Sequence, residues 1–418
     1  MSLSFLLQTF GPVIVGLIFS VSGLLGSKPR WLGQLAFLLS QLVLIYALGY
    51  GSIAGIGLIA AILLGLALSV SKLRGTATTG GYATAPVVFF VAYLLYWALE
   101  KYAVPLVILP FAGSGGAFGT ARQAAALIEI VGISYIGFKL IHFFVDYRAG
   151  EISNVEPLSF LGWMLFLPSI VAGPMQRFQD WQDQFGTTKL TIDDAMWGTR
   201  RIIVGLFMKV ALADNIHSMT LPQLSDGSLS ISPWTTLIVA ALTYTLYLYL
   251  DFAGYCHLAI GMGVFWGIRL PENFDNPFIA RNLAEFWNRW HITLSQILRD
   301  YLFYPLSLSV KRTRALRKFP NAATAIPPIT TFLLVGLWHG AAVGYIIYGL
   351  IHGVGLAYLA IRRSKKPTNP LRIWWTNSRF GYIAGAVVNY VYVSLSFVFF
   401  ALTTNQLAIL AARIRGLG

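Results

Sequence analysis

The chain has 418 residues, of which 56% are hydrophobic and only 11% are charged. A soluble core of this length does not need so much apolar surface, and the composition is typical of a multi-span membrane protein. Lysine and arginine outnumber the acidic residues by 30 to 16, and they cluster in short loops between apolar runs, as the positive-inside rule expects. The single cysteine, Cys256, excludes an intramolecular disulfide and a metal site built from cysteines.

Apolar runs follow one another along most of the chain. A helix needs about 20 mostly apolar residues to cross the hydrocarbon layer, and some runs are shorter, so we expect an all-α, polytopic membrane protein with about 11 transmembrane helices plus interfacial and re-entrant helices. The first run lacks a cleavable leader pattern, so we expect it to be retained, with Lys28 and Arg30 in the first cytoplasmic loop. The runs lie near residues 4–26, 32–50, 53–71, 86–99, 103–112, 123–145, 157–173, 198–213, 233–250, 252–268, 325–339, 341–361 and 380–402.

Two basic clusters flank an uncharged stretch near the C-terminus. "KRTRALRK" (Lys311–Lys318) precedes residues 319–361, which contain no Asp, Glu, Lys or Arg, and "RRSKK" (Arg362–Lys366) follows them. This length suffices for two crossings of about 20 residues each, so both clusters are expected to face the cytoplasm. The bend of the hairpin is then expected around Gly336–Gly344, beside His339. Backbone broken at membrane depth has to line a cavity inside the protein.

Residues 281–306 show a helical period of apolar residues with charges between them. This pattern predicts an amphipathic helix, supported by the i,i+4 pairs Arg281–Glu285 and Glu285–Arg289 and too charged to span the bilayer. His291 lies on its apolar stripe. A histidine there is either bonded to a neighbouring helix or directed into a site.

Two polar groups accompany the apolar run that ends near residue 250. Asp251 is an intramembrane carboxylate, which is a candidate functional residue and equally a residue that locks a partner helix. His257 follows six residues later. Residues 270–282, "LPENFDNPFIARN", are rich in turn-forming residues and predict a folded loop before the amphipathic helix.

Sequence motifs of several enzyme classes are missing from the chain. It contains no H-E-x-x-H, no G-x-S-x-G and no G-x-x-x-x-G-K-[ST], and zinc held by scattered histidines has no spacing to support it. Histidine as a general base remains, since neutral imidazole can take a proton from a hydroxyl near neutral pH. His339 and His352 would lie roughly 220° apart on one continuous helix, so one of the two is expected to be structural. Spacing alone does not distinguish them.

Several stretches together resemble the membrane-bound O-acyltransferase (MBOAT) family, in its bacterial cell-envelope branch, which serves alginate O-acetylation and teichoic acid D-alanylation. The first 120 residues match this family only as generic membrane spans. The matching pieces, in order, are "GISYIGFKLIHFFVDYR" (Gly132–Arg148), "LPSIVAGPMQRF" (Leu167–Phe178), "YLDFAGY" (Tyr249–Tyr255), "PENFDNPF" (Pro271–Phe278), "EFWNRWHITLSQILRDYLFYPL" (Glu285–Leu306) and "GLWHG" (Gly336–Gly340).

The resemblance implies a helical bundle around a central tunnel that crosses the membrane. It places the family's catalytic histidine at His339 and its second signature histidine at His291, and it makes His352 a neighbour. Alginate-type members tend to have an acidic residue where this chain has Cys256 and His257, and the chain length is closer to the D-alanyl-transfer type. The donor therefore stays open between acetyl-CoA and an aminoacyl carrier protein.

We predict a single integral membrane domain over residues 1–418, with variable N-terminal spans (1–120), an acyltransferase core (121–361) and a C-terminal span and tail (362–418). The predicted function is membrane O-acyl transfer, acetyl or D-alanyl, from a cytoplasmic thioester to a hydroxyl of an envelope polymer or relay protein. We expect Asp251, Asn288, Arg289 and Trp338 to line the tunnel or orient groups, and we expect no bound cofactor, metal or nucleic acid. The expected location is the bacterial cytoplasmic membrane, in contact with its lipids. A transporter or flippase of envelope lipids or glycans, and a non-catalytic scaffold of a glycan-export complex, are the alternatives.

Overall fold

The computed structural model describes residues 11–18, 30–49, 53–72, 84–98, 132–187, 189–363 and 378–416. These residues form helices and connecting loops without any strand, so the all-α prediction is confirmed. Four of the described helices are long and apolar enough to cross a membrane: Trp234–Phe265, Pro320–His339, Val343–Arg363 and Arg379–Ala401. The count of about 11 spans stays a prediction, and the predicted run at 103–112 lies outside the described residues.

The chain forms two compact units, residues 1–206 with 255–271 and residues 207–254 with 272–418. The single integral domain stays a prediction. In the first unit, the described helices up to residue 206 are α1 (residues 11–18), α2 (Arg30–Ala47), α3 (Ile53–Lys72), α4 (Thr84–Ala98), α5 (Ile133–Ala149), α6 (Pro157–Met164), α7 (Leu167–Ile170), α8 (Phe178–Gln184) and α9 (Ile192–Leu206). The apolar run at 157–173 therefore forms two short helices and not one span, since each begins with a proline in its first turn.

A core of aromatic and aliphatic side chains holds the first unit together. The ring of Phe37 packs edge-on against Trp181 and Trp266, with ring centroids 5.9 and 5.0 Å apart. Lys139 is fully buried on α5, where it donates to the backbone oxygen of Trp163 at 2.9 Å and to Oγ of Ser169 at 3.2 Å. These bonds compensate part of the cost of burying its ammonium group.

The second unit carries the histidines singled out above, apart from His257. Its elements are a π-helix (Phe207–Ala213), α10 (Asp214–His217), a 3-10 helix (Leu221–Gln223), α11 (Asp226–Ile231), the first part of α12 (Trp234–Phe265), a 3-10 helix (Pro277–Ile279), α13 (Leu283–Arg289), α14 (Ile292–Leu298), a π-helix (Arg299–Phe303), α15 (Tyr304–Arg312), a 3-10 helix (Leu316–Lys318), α16 (Pro320–His339), α17 (Val343–Arg363), α18 (Arg379–Ala401) and α19 (Thr404–Ile414). The two apolar runs at 233–250 and 252–268 thus form one helix, α12, because Asp251 between them does not interrupt it.

The predicted hairpin is confirmed. Helix α16 ends at His339, residues 340–342 make the turn, and α17 begins at Val343. The two helices pack closely because they meet at glycines: a Cβ on Gly336 would collide with the backbone oxygen of Tyr345, and one on Gly349 with that of Phe332. Lys311–Lys318 and the first two residues of the second basic cluster, Arg362 and Arg363, therefore lie at the end of the hairpin away from His339.

The amphipathic helix predicted over 281–306 is wrong as a single helix. Helix α13 ends at Arg289, and α14 begins at Ile292, with His291 between them in the left-handed region at φ 45°. The break is stabilised from outside the segment, because the loop before α13 supplies backbone partners to the corner: Asp275 N–H donates to the oxygen of Arg289, and Ile292 N–H donates to that of Asn273, both at 2.9 Å. The predicted loop at 270–282 is confirmed, with a short 3-10 helix at Pro277–Ile279.

Candidate active site

His339 ends helix α16 among aromatic rings. The ring of Trp338 lies 4.5 Å from it between centroids, and Phe400 meets it edge-on at 4.8 Å. Tyr348, one helix further on, lies 6.2 Å away. His339 is half-buried, whereas His291 and His352 are buried. Of these three histidines, His339 is the most exposed.

His352 lies in the interior of α17 with both ring nitrogens in hydrogen bonds. Trp287 donates its Nε1–H to Nδ1 of His352 at 3.2 Å, and Nε2 of His352 lies 2.7 Å from Oγ of Ser396. Since indole N–H can only donate, Nδ1 is the acceptor, and the neutral ring carries its proton on Nε2. The hydroxyl of Ser396 donates a hydrogen bond to the backbone oxygen of Val393 at 2.6 Å. This arrangement leaves no lone pair on His352 to take a proton from a substrate.

His291 is bound at the corner between α13 and α14. Its Nδ1 lies 3.1 Å from Oδ1 of Asn273, and the same oxygen accepts from the backbone N–H of Thr293 at 3.1 Å and from Oγ1 of Thr293 at 2.9 Å. The ring of Phe252 packs edge-on against the imidazole at 4.8 Å. A non-glycine residue in the left-handed region is uncommon and is enriched at functional sites.

Burial, and to a smaller extent the neighbouring His339, lower the pKa of His291 from its ordinary value of 6.5 to about 3. His291 is therefore neutral at physiological pH. His339, at the end of α16, is close enough to act electrostatically on His291, at the corner before α14.

Asp251 forms an ion pair with Lys209 of the preceding π-helix. Their side chains are 32% and 25% exposed, so the pair is neither fully solvated nor fully buried. Asp251 is adjacent in the chain to Phe252, which contacts His291. The carboxylate of Asp251 therefore binds the π-helix through Lys209, and the next residue, Phe252, packs against His291.

Asn288 and Arg289 face different surroundings. Arg289 donates to Oδ2 of Asp275 at 2.8 Å and to its backbone oxygen at 3.1 Å, which ties down the loop before α13. Asn288 accepts a hydrogen bond from Arg299 at 2.5 Å. Asn288 and Arg299 both line a cavity of about 420 Å³.

This cavity has apolar walls and charged groups in its lining. Trp287 and Phe332 contribute aromatic surface, and Arg299 and Arg363 contribute guanidinium groups. Its volume lies in the range of small-molecule sites, about 300–1,000 Å³. Thr331 also lines it, and within the described part of the chain its buried hydroxyl has no hydrogen-bond partner.

Sequence reasoning missed several residues of this region. Asn273 lies in a loop that was assigned only turn-forming residues, and Ser396 lies in an apolar helix. Trp287 belongs to the apolar period of residues 281–306, yet its indole N–H donates to His352. Lys209 could have been found from the sequence, because a lysine within the apolar run "FMKVALA" implies an acidic partner at a similar depth in the membrane.

Comparison with known proteins agrees with these motifs. The model of the membrane-bound O-acyltransferase family matches residues 88–395. Probable alginate O-acetylase AlgI of Pseudomonas aeruginosa is 38% identical over 58% of this chain and 45% of its own length. Teichoic acid D-alanyltransferase of Streptococcus thermophilus is 31% identical over 69% of this chain and 72% of its own. Peptidoglycan O-acetyltransferase of Helicobacter pylori is 32% identical over 81% and 61%.

The chain spans about half the length of the alginate O-acetylases that it matches. Relatives named for acetyl transfer and relatives named for D-alanyl transfer both match it. The family model covers most of the second unit, including His291 and His339. The chain belongs to the membrane-bound O-acyltransferase family.

Proposed function

We propose that the protein is a polytopic O-acyltransferase of a bacterial cytoplasmic membrane. It takes an acetyl or D-alanyl group from a cytoplasmic thioester and delivers it to a hydroxyl of an envelope polymer or of an extracytoplasmic relay protein. The observation that carries this proposal is the contrast among three histidines of one unit. His339 is half-exposed among aromatic rings, while His352 has both nitrogens in hydrogen bonds.

In the proposed reaction, neutral His339 takes the proton of the acceptor hydroxyl as its oxygen attacks the thioester carbonyl. The tetrahedral intermediate collapses with cleavage of the carbon–sulfur bond, and the thiolate receives the proton from His339. The products are the O-acyl ester and the free thiol, and the histidine returns to its neutral form. No metal or resident cofactor takes part in this scheme.

The geometry of the hairpin supports this direction of transfer. At 1.5 Å per residue, Pro320 and His339 lie about 28 Å apart along α16, close to the thickness of the hydrocarbon layer. Lys311–Lys318, Arg362 and Arg363 lie at the Pro320 end, which the positive-inside rule assigns to the cytoplasm. His339 then lies towards the other face, where an envelope acceptor is available. About 11 spans around a tunnel complete the proposed architecture.

The cavity of about 420 Å³ is the proposed entry for the donor. Its lining reaches from Arg363, in the second basic cluster, to Thr331, which is about 12 Å from His339 along α16. Arg299 and Arg363 are suited to a phosphate, and the apolar walls are suited to the donor's chain. Acetyl-CoA and an acyl carrier protein share this chemistry.

A transfer assay tests the function and identifies the donor. Purified protein in lipid nanodiscs is given labelled acetyl-CoA or a carrier protein charged with labelled D-alanine, together with an envelope polymer or relay acceptor. We expect one donor to give an alkali-labile ester on the acceptor, at a rate that depends on His339. Movement of an envelope lipid or glycan across the membrane, with no ester formed from either donor, would contradict the proposal and favour a transporter.

A further inference from the structure

We propose that Thr331 is a specificity-determining residue for the acyl donor, and that its hydroxyl forms a hydrogen bond with an amide in the linker between the donor's phosphate and its thioester. The inference rests on the proposed function, in which the cavity of about 420 Å³ admits the donor. It adds the uncharged group by which the protein recognises that linker.

The hydroxyl of Thr331 is buried and unpaired at the wall of the cavity. Thr331 is 4% exposed, and its Oγ1 has no hydrogen-bond partner among the residues that the structure describes. A buried hydroxyl without a partner costs free energy, so such groups are nearly always paired. Because Thr331 lines a cavity, a molecule that enters the cavity can supply the missing partner.

The helix that carries Thr331 does not bind this hydroxyl either. A threonine within a helix commonly donates to the backbone oxygen four residues earlier. Thr324, also on α16, does so to Pro320 at 2.9 Å. The equivalent bond from Thr331 to the backbone oxygen of Pro327 is not made. The hydroxyl of Thr331 is therefore available to a ligand, whereas that of Thr324 is occupied.

The cavity changes in character from its exposed side to its buried side. Arg363 and Asn288 in its lining are exposed, whereas Trp287 and Phe332 are buried. Thr331 precedes Phe332 in the chain and belongs to the buried side. A ligand that matches the whole cavity thus has an anionic group at the exposed side and a mostly apolar chain with a neutral polar group at the buried side.

An amide is the neutral polar group that fits this position. An alkyl chain would leave the hydroxyl of Thr331 unpaired, and a charged group would lie among apolar side chains. An amide both donates and accepts, and a hydroxyl can match either role. The pantetheine arm shared by CoA and acyl carrier proteins joins a phosphate to the thioester through two amides separated by short apolar segments.

The position of Thr331 selects one of these two amides. Thr331 precedes His339 by about 12 Å along α16. An extended chain covers about 1.3 Å per bond, because three bonds separate Cα atoms that lie 3.8 Å apart, so this distance corresponds to about nine bonds. With the thioester at His339, the amide farther from the sulfur, about seven to eight bonds along the arm, lies nearer to Thr331 than the other amide does.

A binding measurement on three variants tests the role of the hydroxyl. Thr331→Val keeps the shape but removes the hydroxyl, and we expect the donor Kd to rise about three- to tenfold, the usual worth of a neutral hydrogen bond. Thr331→Ser keeps the hydroxyl and should stay within about twofold. Thr324→Val, on the same helix but outside the cavity lining, is the matched control and should leave Kd unchanged. The probes are acetyl-CoA and the carrier protein charged with D-alanine, each bound to protein in lipid nanodiscs.

The thermal midpoint of the ligand-free protein separates binding from structural support. Since Thr331→Val removes an unpaired buried hydroxyl, we expect its midpoint to equal or exceed that of the wild type while donor binding weakens. A residue that only supported the fold would show the reverse pattern, with a lower midpoint and an unchanged Kd. That pattern would overturn the proposal.

Donor analogues test which group Thr331 recognises. In each of two analogues, one amide of the arm is replaced by two methylene groups, and the arm is presented on CoA and on the carrier protein. The wild type should bind the analogue without the farther amide about three- to tenfold more weakly than the parent donor, and Thr331→Val should lose this preference. The analogue without the nearer amide should lose the same factor in both proteins.

The remaining outcomes also decide. An unchanged Kd in Thr331→Val, as expected if the hydroxyl binds only water, or a full preference for the farther amide in that variant, would overturn the proposal. Thr331→Ala replaces Thr331→Val if the latter does not fold. If a donor binds but no acyl transfer is found, the proposed function fails and the dependence of Kd on Thr331 still tests this inference. If neither donor binds, both fail.

Discussion

The indole N–H of Trp287 donates to Nδ1 of His352 at 3.2 Å, so the buried histidine of helix α17 already uses its acceptor nitrogen for a tryptophan. Because Ser396 engages the other nitrogen at 2.7 Å, His352 is a connector between α13, α17 and α18. Trp287 in turn lines the cavity proposed for the donor. His352 therefore acts on the site by holding a wall of that cavity.

Replacing His352 with Ala should destabilise the protein without abolishing its chemistry. The change leaves the Trp287 N–H unpaired and opens a cavity, which together cost about 2–4 kcal/mol. We expect the thermal midpoint to fall and kcat per folded molecule to stay within about tenfold. Midpoint and kcat are measured on the same preparations, with Ser396→Ala as a milder variant that removes one bond. Loss of turnover at an unchanged midpoint would show that His352 takes part in the reaction.

The free energy of unfolding should depend on pH through His291. Its pKa is about 3 in the folded protein, against 6.5 ordinarily. The unfolded chain therefore binds more protons between these values, and the stability that neutral burial provides is complete above about pH 6.5 and declines as pH falls towards 3, by at most about 1.4 kcal/mol per pH unit.

This pH dependence is measured as the difference between the wild type and a His291→Asn variant. Unfolding is followed in detergent from pH 8 to pH 4. The difference in stability is expected to be largest at the alkaline end and to shrink below about pH 6.5. A difference that does not change with pH would mean that His291 is not buried in neutral form.

The Lys209–Asp251 pair should behave as a coupled unit. Removing one partner leaves the other charge in a mostly apolar setting, and since both side chains are partly exposed we expect Asp251→Asn to cost about 1–3 kcal/mol, less than for a fully buried pair. A double variant with Lys209→Met should recover about 1 kcal/mol of this loss. A double-mutant cycle of unfolding free energies measures the coupling. Strictly additive effects would show that the two side chains are not coupled. A stable but inactive double variant would place Asp251 in the chemistry instead.

Arg299 and Arg363 should act on donor binding and not on the chemical step. Each charge-assisted hydrogen bond to a phosphate is worth about 1.5–3 kcal/mol, so Arg299→Gln and Arg363→Gln should each raise the donor KM by about tenfold or more with kcat unchanged. Arg314→Gln, in the basic cluster but not in the cavity lining, is the matched control. Unchanged KM for both donors in both cavity variants would remove the cavity from the donor path.

The hairpin could be predicted from the sequence because its signals are local. An uncharged stretch between two basic clusters predicts two long helices, and glycines around His339 allow the close packing that the structure has at Gly336. The all-α class follows from composition for the same reason. The family motif then distinguished His339 from His352, which spacing alone could not.

The corner at His291 could not be predicted because its cause lies elsewhere in the chain. The helical period of residues 281–306 favours a continuous helix. The break is stabilised by backbone hydrogen bonds that Asn273 and Asp275, in the loop before α13, make with the corner. Pattern analysis treats that loop as turn residues and does not reveal which of its amides is buried. One such amide, that of Asn273, lies 3.1 Å from Nδ1 of His291.

The sequence also identified polar residues near the site without identifying the residues that they bind. Asp251 was recognised as an intramembrane carboxylate, yet its pairing with Lys209 requires the π-helix at Phe207–Ala213 to bring the lysine to it. Arg289 was recognised as a charge near the site, but the structure uses it to hold Asp275. A charged residue in an apolar run can be recognised from the sequence because burying a charge costs free energy, whereas the residue that it binds is determined by the fold.

The account depends most directly on His339 as the base. The decisive measurement is kcat for acyl transfer by His339→Ala and His339→Gln in lipid nanodiscs, at saturating donor, with thermal midpoint and donor binding measured on the same samples. We predict that kcat falls at least about 10³-fold in both variants while midpoint and donor affinity stay near those of the wild type. Turnover within about tenfold of the wild type in either correctly folded variant would contradict the account.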